Sequence, residues 1–282
     1  METLKWTQVQ IQRLKALGAS DEIQATAGFH SRDERNRRFQ EIEQSLVRRE
    51  RARLEDYLEN QLRPKICLLE HRLIETLNQH GFAQVTTPLI ITRAALARMS
   101  ITADNPLFKQ IYWINANKCL RPMLAPNLYS LMMDLGRLRK RPLRFFEVGP
   151  CFRKETDGLQ HTSEFTMLNL VEMGLSESTR HHRLREIGTV VCKAAGLTDF
   201  DFQKTSSDVY GDTIDIVAGK SKTEIASGAM GPHPLDAAWR IDETWIGFGF
   251  GIERLLMVSE GHGTMGRWRK SLSYLDGIRL NI

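Results

Sequence analysis

Two stretches of this 282-residue chain place arginine where phosphate chemistry would need it. The first is Phe146-Glu147-Val148-Gly149-Pro150-Cys151-Phe152-Arg153-Lys154-Glu155, then a polar turn (Thr156, Asp157, Gly158), then Glu164-Phe165-Thr166-Met167-Leu168-Asn169. It reads as strand, loop, strand, with turn chemistry between the strands. An arginine fixed at a strand end holds a phosphate through two hydrogen bonds, which lysine cannot reproduce. Phe165 offers a flat face to a purine base. An isolated RxE is more often a surface salt bridge, so this stretch alone decides nothing.

The second is Trp245-Ile246-Gly247-Phe248-Gly249-Phe250-Gly251-Ile252-Glu253-Arg254. Glycines at alternate positions leave one strand face bare, so that a ligand or a backbone can approach closely. The strand passes into a helix beginning near Arg254, and a helix N-terminus with arginine in its first turn suits an anion. The spacing is not the dinucleotide GxGxxG, and GxxxxGK[ST] occurs nowhere, so ATP bound here would not use a P-loop. Without further support, a glycine-rich packing strand explains the pattern equally well. A third stretch, Gly81-Phe82-Ala83-Gln84-Val85-Thr86-Thr87-Pro88-Leu89-Ile90, ends a helix and starts a strand that Pro88 interrupts. That favours an edge or interface position and carries no catalytic group.

The elements that must position these residues have two textures. Residues 5–80 read as helices: Val9, Ile11, Leu14 and Leu17 recur at helical spacing up to Gly18, a second run spans Ser31 to Asn60, and a third follows Pro64 with Ile66, Leu69, Leu73, Ile74 and Leu77. From Phe82 onward, short apolar runs predict strands at Val85–Ile91, Ile111–Ile114, Leu143–Val148, Phe165–Met173, Val209–Val217 and Ile225–Met230. Helices are expected near Asn127–Leu138, Glu177–Ala195 and Ile252–Ser259. Hairpin-like succession favours an α+β fold with a largely antiparallel sheet flanked by helices, not a doubly wound one.

Composition narrows the class. Hydrophobic residues make up 41 % and charged residues 26 %, ordinary for a soluble globular protein. No apolar run approaches the roughly 20 residues of a membrane helix, and the start has no apolar signal core. Cys67, Cys119, Cys151 and Cys192 lie far apart, against a zinc site or disulfide framework and in keeping with a cytoplasmic location. The net charge of +5 is concentrated in an early arginine run that includes Arg48, Arg49, Arg51 and Arg53. Such a run suits a nucleic-acid partner; a solvated helix laced with Arg–Glu pairs accounts for it as simply. His181 and His182, adjacent on an expected helix, diverge by roughly 100° and would not share a metal.

Together and in this order, the three stretches resemble the signature motifs of class II aminoacyl-tRNA synthetases. Four more resemble the pyrrolysyl-tRNA synthetases: Leu120-Arg121-Pro122-Met123-Leu124-Ala125-Pro126-Asn127-Leu128-Tyr129, Glu164 to Asn169, Val209-Tyr210-Gly211-Asp212-Thr213, and Ser273-Tyr274-Leu275-Asp276-Gly277. The likeness runs from about Trp6 to the end and looks like the short class without a separate N-terminal tRNA-binding domain.

The resemblance implies a class II catalytic fold over residues 81–282, with a helical part over 1–80 that contacts tRNA. It implies ATP and Mg2+ as cofactors and tRNA, not DNA, as nucleic-acid partner. It also implies a homodimer built around Pro88. Arg153 would bind the α-phosphate and the activated carboxylate, and Arg254 would cover one adenine face and reach the γ-phosphate. Phe165 would stack on the other face, Glu155 and the backbone near Thr162 and Ser163 would meet the adenine edge, and His161 would help hold phosphates or the tRNA end. Glu224 and Ser227 would hold magnesium, although odd spacing puts them on opposite faces of an ideal strand unless a bulge intervenes. Ala125, Leu128, Tyr129, Met132, Asn169, Val171, Tyr210, Trp245 and Gly247 would line the amino-acid pocket, large, mostly apolar and suited to a long acylated lysine. Phe248 departs from the small residue of the family pattern; pointing inward it would narrow the site, pointing away it would not. The implied reaction is ATP-dependent activation of pyrrolysine or a related Nε-acylated lysine and its transfer to tRNA. A class II synthetase for another amino acid and a non-catalytic RNA-binding paralogue are the alternatives.

Overall fold

The computed structural model describes residues 3–138, 141–154, 163–262 and 265–282. Its contacts divide the chain into two units, Met1–Pro64 with Ser271–Ile282, and Lys65–Lys270. The helix that follows Pro64 thus goes with the larger unit, where the sequence division drew its line at residue 80.

In the smaller unit, β1 (Leu4–Lys5), α1 (Gln8–Ala16), α2 (Asp21–Ala25), β2 (Ala27–Phe29) and α3 (Arg32–Glu59) follow one another. Thr7 starts α1 with a capping box: its hydroxyl accepts the Gln10 N–H at 3.2 Å, and the Gln10 side chain accepts the Thr7 N–H at 3.0 Å. The core gathers Trp6, Leu14, Leu17, Phe29 and Leu46. Part of the arginine run on α3 is structural. Glu50, fully buried, accepts from Arg53 at 2.9 Å and from the backbone N–H of Arg279 at 3.1 Å. Arg49 donates to the carbonyl of Leu17 at 2.7 Å, whereas Arg48 and Arg51 are exposed.

The larger unit opens with α4 (Lys65–Gln79), which buries Leu69, Leu73 and Leu77 at four-residue spacing and stops at Gly81, where φ is +80°. There follow β3 (Ala83–Gln84), β4 (Ile90–Thr92), α5 (Arg93–Arg98), β5 (Lys118–Leu120) and α6 (Ala125–Leu135). The long strands β6 (Leu143–Phe152) and β7 (Glu164–Met173) form a hairpin, followed by α7 (Arg180–Ala194). Then come β8 (Phe200–Ser207), β9 (Gly211–Ala218), β10 (Thr223–Met230), α8 (Asp236–Trp239), β11 (Trp245–Gly251) and α9 (Ile252–Ser259). A final pair, β12 (Tyr274–Leu275) and β13 (Ile278–Arg279), belongs to the smaller unit. Among the described residues, no helix is long and apolar enough to cross a membrane.

Seven strands form one sheet in the order β3-β6-β7-β11-β10-β9-β8. Every pair in it is antiparallel except the short β3–β6 contact. Side chains alternate, so the sheet has two distinct faces. One packs on α4, α7 and α9 through residues such as Phe146, Leu168, Ile246, Phe248 and Phe250. The other carries Phe145, Val171, Met173 and Trp245 against α5 and α6.

Two expected strands are not there. Val85–Ile91 is broken between β3 and β4, because Pro88 has no N–H and the Thr87 N–H bonds the Glu147 carboxylate at 3.1 Å. Ile111–Ile114 is irregular apart from one bridge, Trp113 to Cys119; its apolar character reflects burial of Ile111 in the core. The edge strand β8 escaped notice because its second half, Gln203 to Ser207, is polar.

Beneath the Pro88 bend lies a buried ion pair. Arg121 and Glu147, each 1 % exposed, meet at 2.7 Å. Arg121 also donates to the Pro150 carbonyl at 2.8 Å and to the Thr87 hydroxyl at 3.0 Å; that hydroxyl donates to Glu147 at 2.6 Å and accepts from Asn127 at 2.7 Å. A Cβ at Gly149 would fall 2.3 Å from the guanidinium, so only glycine fits there. Removing one partner leaves the other charged and unpaired. Glu147→Leu should therefore lower unfolding free energy by about 3–5 kcal/mol in urea titration, and adding Arg121→Met should restore part of it. A single-variant loss below about 1 kcal/mol would mean that the pair does not tie these segments.

Candidate active site

On the sheet face away from α4, α7 and α9 lies a cleft of about 460 Å³. Its floor follows from strand register. Gly251, Gly249, Gly247 and Trp245 pair with Met167, Asn169, Val171 and Met173, so the glycines run bare along β11 beside the side chains of β7. A Cβ at Gly249 would come within 3.2 Å of the Asn169 amide atoms and 3.1 Å of Met167. Phe248, one residue out of phase, faces the opposite way. Its ring fills space left by two other glycines: a Cβ would meet it at 2.4 Å from Gly228 and at 3.0 Å from Gly188. Phe248 is among the residues that line the cleft, but its ring packs into the core of the reverse face, away from the glycine floor.

One end of the cleft is cationic. Arg153, just beyond β6, anchors its Nε on the Pro122 carbonyl at 2.9 Å and holds its guanidinium 5.2 Å from the Phe165 ring. Arg254, in the first turn of α9, donates to the Glu224 carbonyl at 3.2 Å and stands 3.5 Å from its carboxylate. Gly251 caps that helix with no side-chain hydrogen bond. The ladder between β10 and β9 slips between Glu224 and Ala226. This bulge lets Glu224 and Ser227, three apart, both line the cleft. They fit a hard cation that keeps phosphate and water ligands; among the described residues, no group of three or more His, Cys, Asp or Glu could hold a metal.

The other end is apolar and aromatic. Ala125, Leu128, Tyr129 and Met132 come from α6, Asn169 and Val171 from β7, Tyr210 from the β8–β9 turn, and Trp245 and Gly247 from β11; all line the cleft. Burial, with Tyr210 and Asp236 nearby, holds the Tyr129 phenol far above its usual range, so it stays protonated. Asn169 Oδ1 is buried without a hydrogen-bond partner among the described residues. An orphaned amide in a cleft asks for a ligand.

Glu155, His161 and Thr162, with Thr156, Asp157 and Gly158, lie outside the described residues. Sequence reasoning assigned no role to Glu253, although it follows the glycine strand directly. It is 1 % exposed, and its two carboxylate oxygens accept the Thr166 N–H at 2.8 and 3.0 Å, tying α9 to β7 beside Phe165.

The family of tRNA synthetases class II (D, K and N) matches residues 46–196. The crystal structure of a pyrrolysyl-tRNA synthetase from Desulfitobacterium hafniense superposes with a TM-score of 0.91 at 51 % identity, covering 99 % of both chains. The chain belongs to the class II pyrrolysyl-tRNA synthetase family. A second structure of the Desulfitobacterium hafniense pyrrolysyl tRNA synthetase gives 0.88 at 50 % identity, covering 99 % of this chain and 96 % of that one. A lysine--tRNA ligase of Staphylococcus haemolyticus is 30 % identical over 51 % of this chain and 29 % of its own length. One from Pelotomaculum thermopropionicum is 33 % identical over 47 % and 24 %. The matches thus span about a quarter to a third of the curated relatives.

In this member of the family, burial pushes the Glu253 carboxyl up to about 7, against the lowering effect of its Thr166 hydrogen bonds. An acid raised in the folded state favours folding below its unfolded value, about 4.5, and that contribution is lost as pH climbs through about 7. The loss is of order 3 kcal/mol. Glu253→Gln should accept the same N–H and flatten stability between pH 5 and 8, leaving the variant about 1–3 kcal/mol more stable than the parent at pH 8. Parallel pH–stability curves in urea titration would refute this.

Proposed function

We propose that the protein uses ATP to activate pyrrolysine, or a related Nε-acylated lysine, and transfers it to its cognate amber-suppressor tRNA. The observation that carries the proposal is one continuous cleft, cationic at Arg153 and Arg254 and apolar beyond Asn169, with a buried carboxamide oxygen unpaired at the junction. In that cleft the substrate carboxylate attacks the α-phosphate and the bond to pyrophosphate breaks; the terminal ribose hydroxyl of the tRNA then attacks the carbonyl of the aminoacyl-adenylate, the acyl–phosphate bond breaks and AMP leaves. Arg153 and Arg254 neutralise charge that grows on the phosphates, and their anchors on Pro122 and Glu224 pre-set that geometry. Magnesium, held by Glu224 and Ser227, supplies further charge neutralisation when bound. Phe165 offers the adenine its platform. The segment around Pro88 would form the symmetric contact of a homodimer.

Free lysine is a poorer fit. The residues assigned to the amino-acid end include no carboxylate for an ammonium group, and the oxygens of nearby Asp236 are already hydrogen-bonded to Tyr129, Trp245 and His233. An acylated lysine suits Asn169: its amide N–H can donate to the unpaired Oδ1, and its carbonyl can accept from the Asn169 Nδ2.

An amide that pairs with that carbonyl penalises ligands without one by about 1–3 kcal/mol. Asn169→Ala should therefore shrink the preference for an acyl-lysine over its size-matched analogue lacking the carbonyl, by roughly tenfold in ATP–pyrophosphate exchange. An unchanged ratio would remove Asn169 from substrate reading. For tRNA, exposed Arg48 and Arg51 are the side chains to neutralise, since Arg49 holds the fold. The Arg48→Ala/Arg51→Ala pair should weaken aminoacylation several-fold at low salt, less as salt rises and screens the contacts, and spare pyrophosphate exchange; equal effects on both assays would count against this face.

A further inference from the structure

Behind the amino-acid pocket sits a carboxylate that takes no part in the mechanism above. Asp236 opens α8, is 3 % exposed and does not line the cleft. Its Oδ1 accepts the Tyr129 hydroxyl at 3.3 Å. Its Oδ2 accepts the Trp245 indole N–H at 2.9 Å and the backbone N–H of His233 at 2.7 Å. Tyr129 and Trp245 come from different elements and meet edge to face, centroids 5.6 Å apart and planes at 80°. One carboxylate therefore fixes both rings from outside the pocket.

His233 carries the assembly to the third aromatic. Its Nδ1 accepts the Leu235 N–H at 3.2 Å, so that nitrogen is unprotonated and the hydrogen of the neutral ring sits on Nε2. Nε2 then donates to the Tyr210 carbonyl at 2.8 Å. The imidazole meets the Tyr210 ring edge-on at 5.5 Å, and Tyr210 stacks with Tyr129 at 6.5 Å. Tyr210 lies in the β8–β9 turn, where its N–H is accepted by the Ser207 hydroxyl at 3.0 Å.

A buried aspartate serving three donors could be ordinary satisfaction of a core. Two facts point elsewhere. Burial raises its pKa, so the carboxylate is held there against its solvation preference. Its hydrogen bonds, directly or through His233, also end on the three aromatic residues that bound the pocket.

We propose that Asp236 and His233 are positioning residues for amino-acid selection: they fix the separations of Tyr129, Trp245 and Tyr210, and so set the size of acyl group the pocket admits. The inference rests on the proposed activation of an acylated lysine. Hydrogen-bond pattern, not charge, is what the site requires. An asparagine at 236 can turn its carbonyl to Trp245 and His233 and its amide to the Tyr129 oxygen, which accepts as well as donates. A leucine leaves the indole and a backbone N–H unpaired. A glutamine at 233 keeps a donor for the Tyr210 carbonyl; a phenylalanine keeps only the shape.

The test is ATP–pyrophosphate exchange by the full chain with Nε-acyl-lysines of increasing acyl size. Asp236→Leu and His233→Phe should raise KM for the best parental substrate at least tenfold, shift the optimum to larger acyl groups and leave KM for ATP within twofold. Asp236→Asn and His233→Gln should stay within threefold of the parent and keep its order of preference. An Asn variant as impaired as the Leu variant, or an unchanged acyl order in His233→Phe, would overturn the inference; the Asn and Phe variants decide it even where the Leu variant fails to fold. A parent enzyme that exchanges with no acyl-lysine would instead overturn the proposed function beneath it.

Discussion

Burying a guanidinium beside a carboxylate is unfavourable unless each polar atom is bonded, and the placement of Arg153 depends on how Arg121 and Glu147 meet that condition. Their network draws in Thr87 before the Pro88 bend, Asn127 in the first turn of α6 and the Pro150 carbonyl on β6. The Arg121 carbonyl accepts the Phe152 N–H at 3.0 Å, and the next carbonyl, of Pro122, holds the Nε of Arg153. Arg153 is thus one hydrogen bond from the residue next to a buried ion pair. Preorganisation of this kind lets a cation act on developing charge without first reorganising itself.

The strand β11 solves a second constraint, serving a ligand and a core at once. Its glycines keep the cleft floor bare, while Ile246, Phe248 and Phe250 on the reverse face are anchored among α4, α7 and α9. A strand with three glycines loses much conformational entropy on folding. Packing on the reverse face offsets that, and the bulk of Phe248 is matched by Gly188 and Gly228. Its rigidity comes from behind.

The outline of the cleft was legible because it is local. FRKE and GIER are contiguous, and Phe165, Met167 and Asn169, two apart along one strand, all line the cleft. The order of strands suggested an antiparallel sheet for the same reason. Illegible were the features that depend on distant partners. The bulge that turns Glu224 toward Ser227 exists only in register with β9. Asp236 in a Pro-Leu-Asp turn gives no sign that three donors converge on it, and the orientation of Phe248 needed its neighbours on β10 and α7. Val85–Ile91 looked like a strand because apolar residues surround a proline whose bend is set by Glu147, sixty positions away along the chain.

The two ends of the cleft obey different electrostatic rules, and this accounts for how one scaffold can serve related substrates. At the cationic end, charge is supplied by side chains that are partly exposed, such as Arg254 at 25 %, where water screens it. At the amino-acid end, the aromatic wall has its acidic partner placed behind it, with both carboxylate oxygens already accepting hydrogen bonds. A substrate bringing an ammonium there would lose its hydration and find the oxygens of Asp236 already occupied. A substrate bringing an amide would find Asn169. Under the proposed function, acylation of the lysine side chain exchanges an ammonium for an amide that Asn169 can bond.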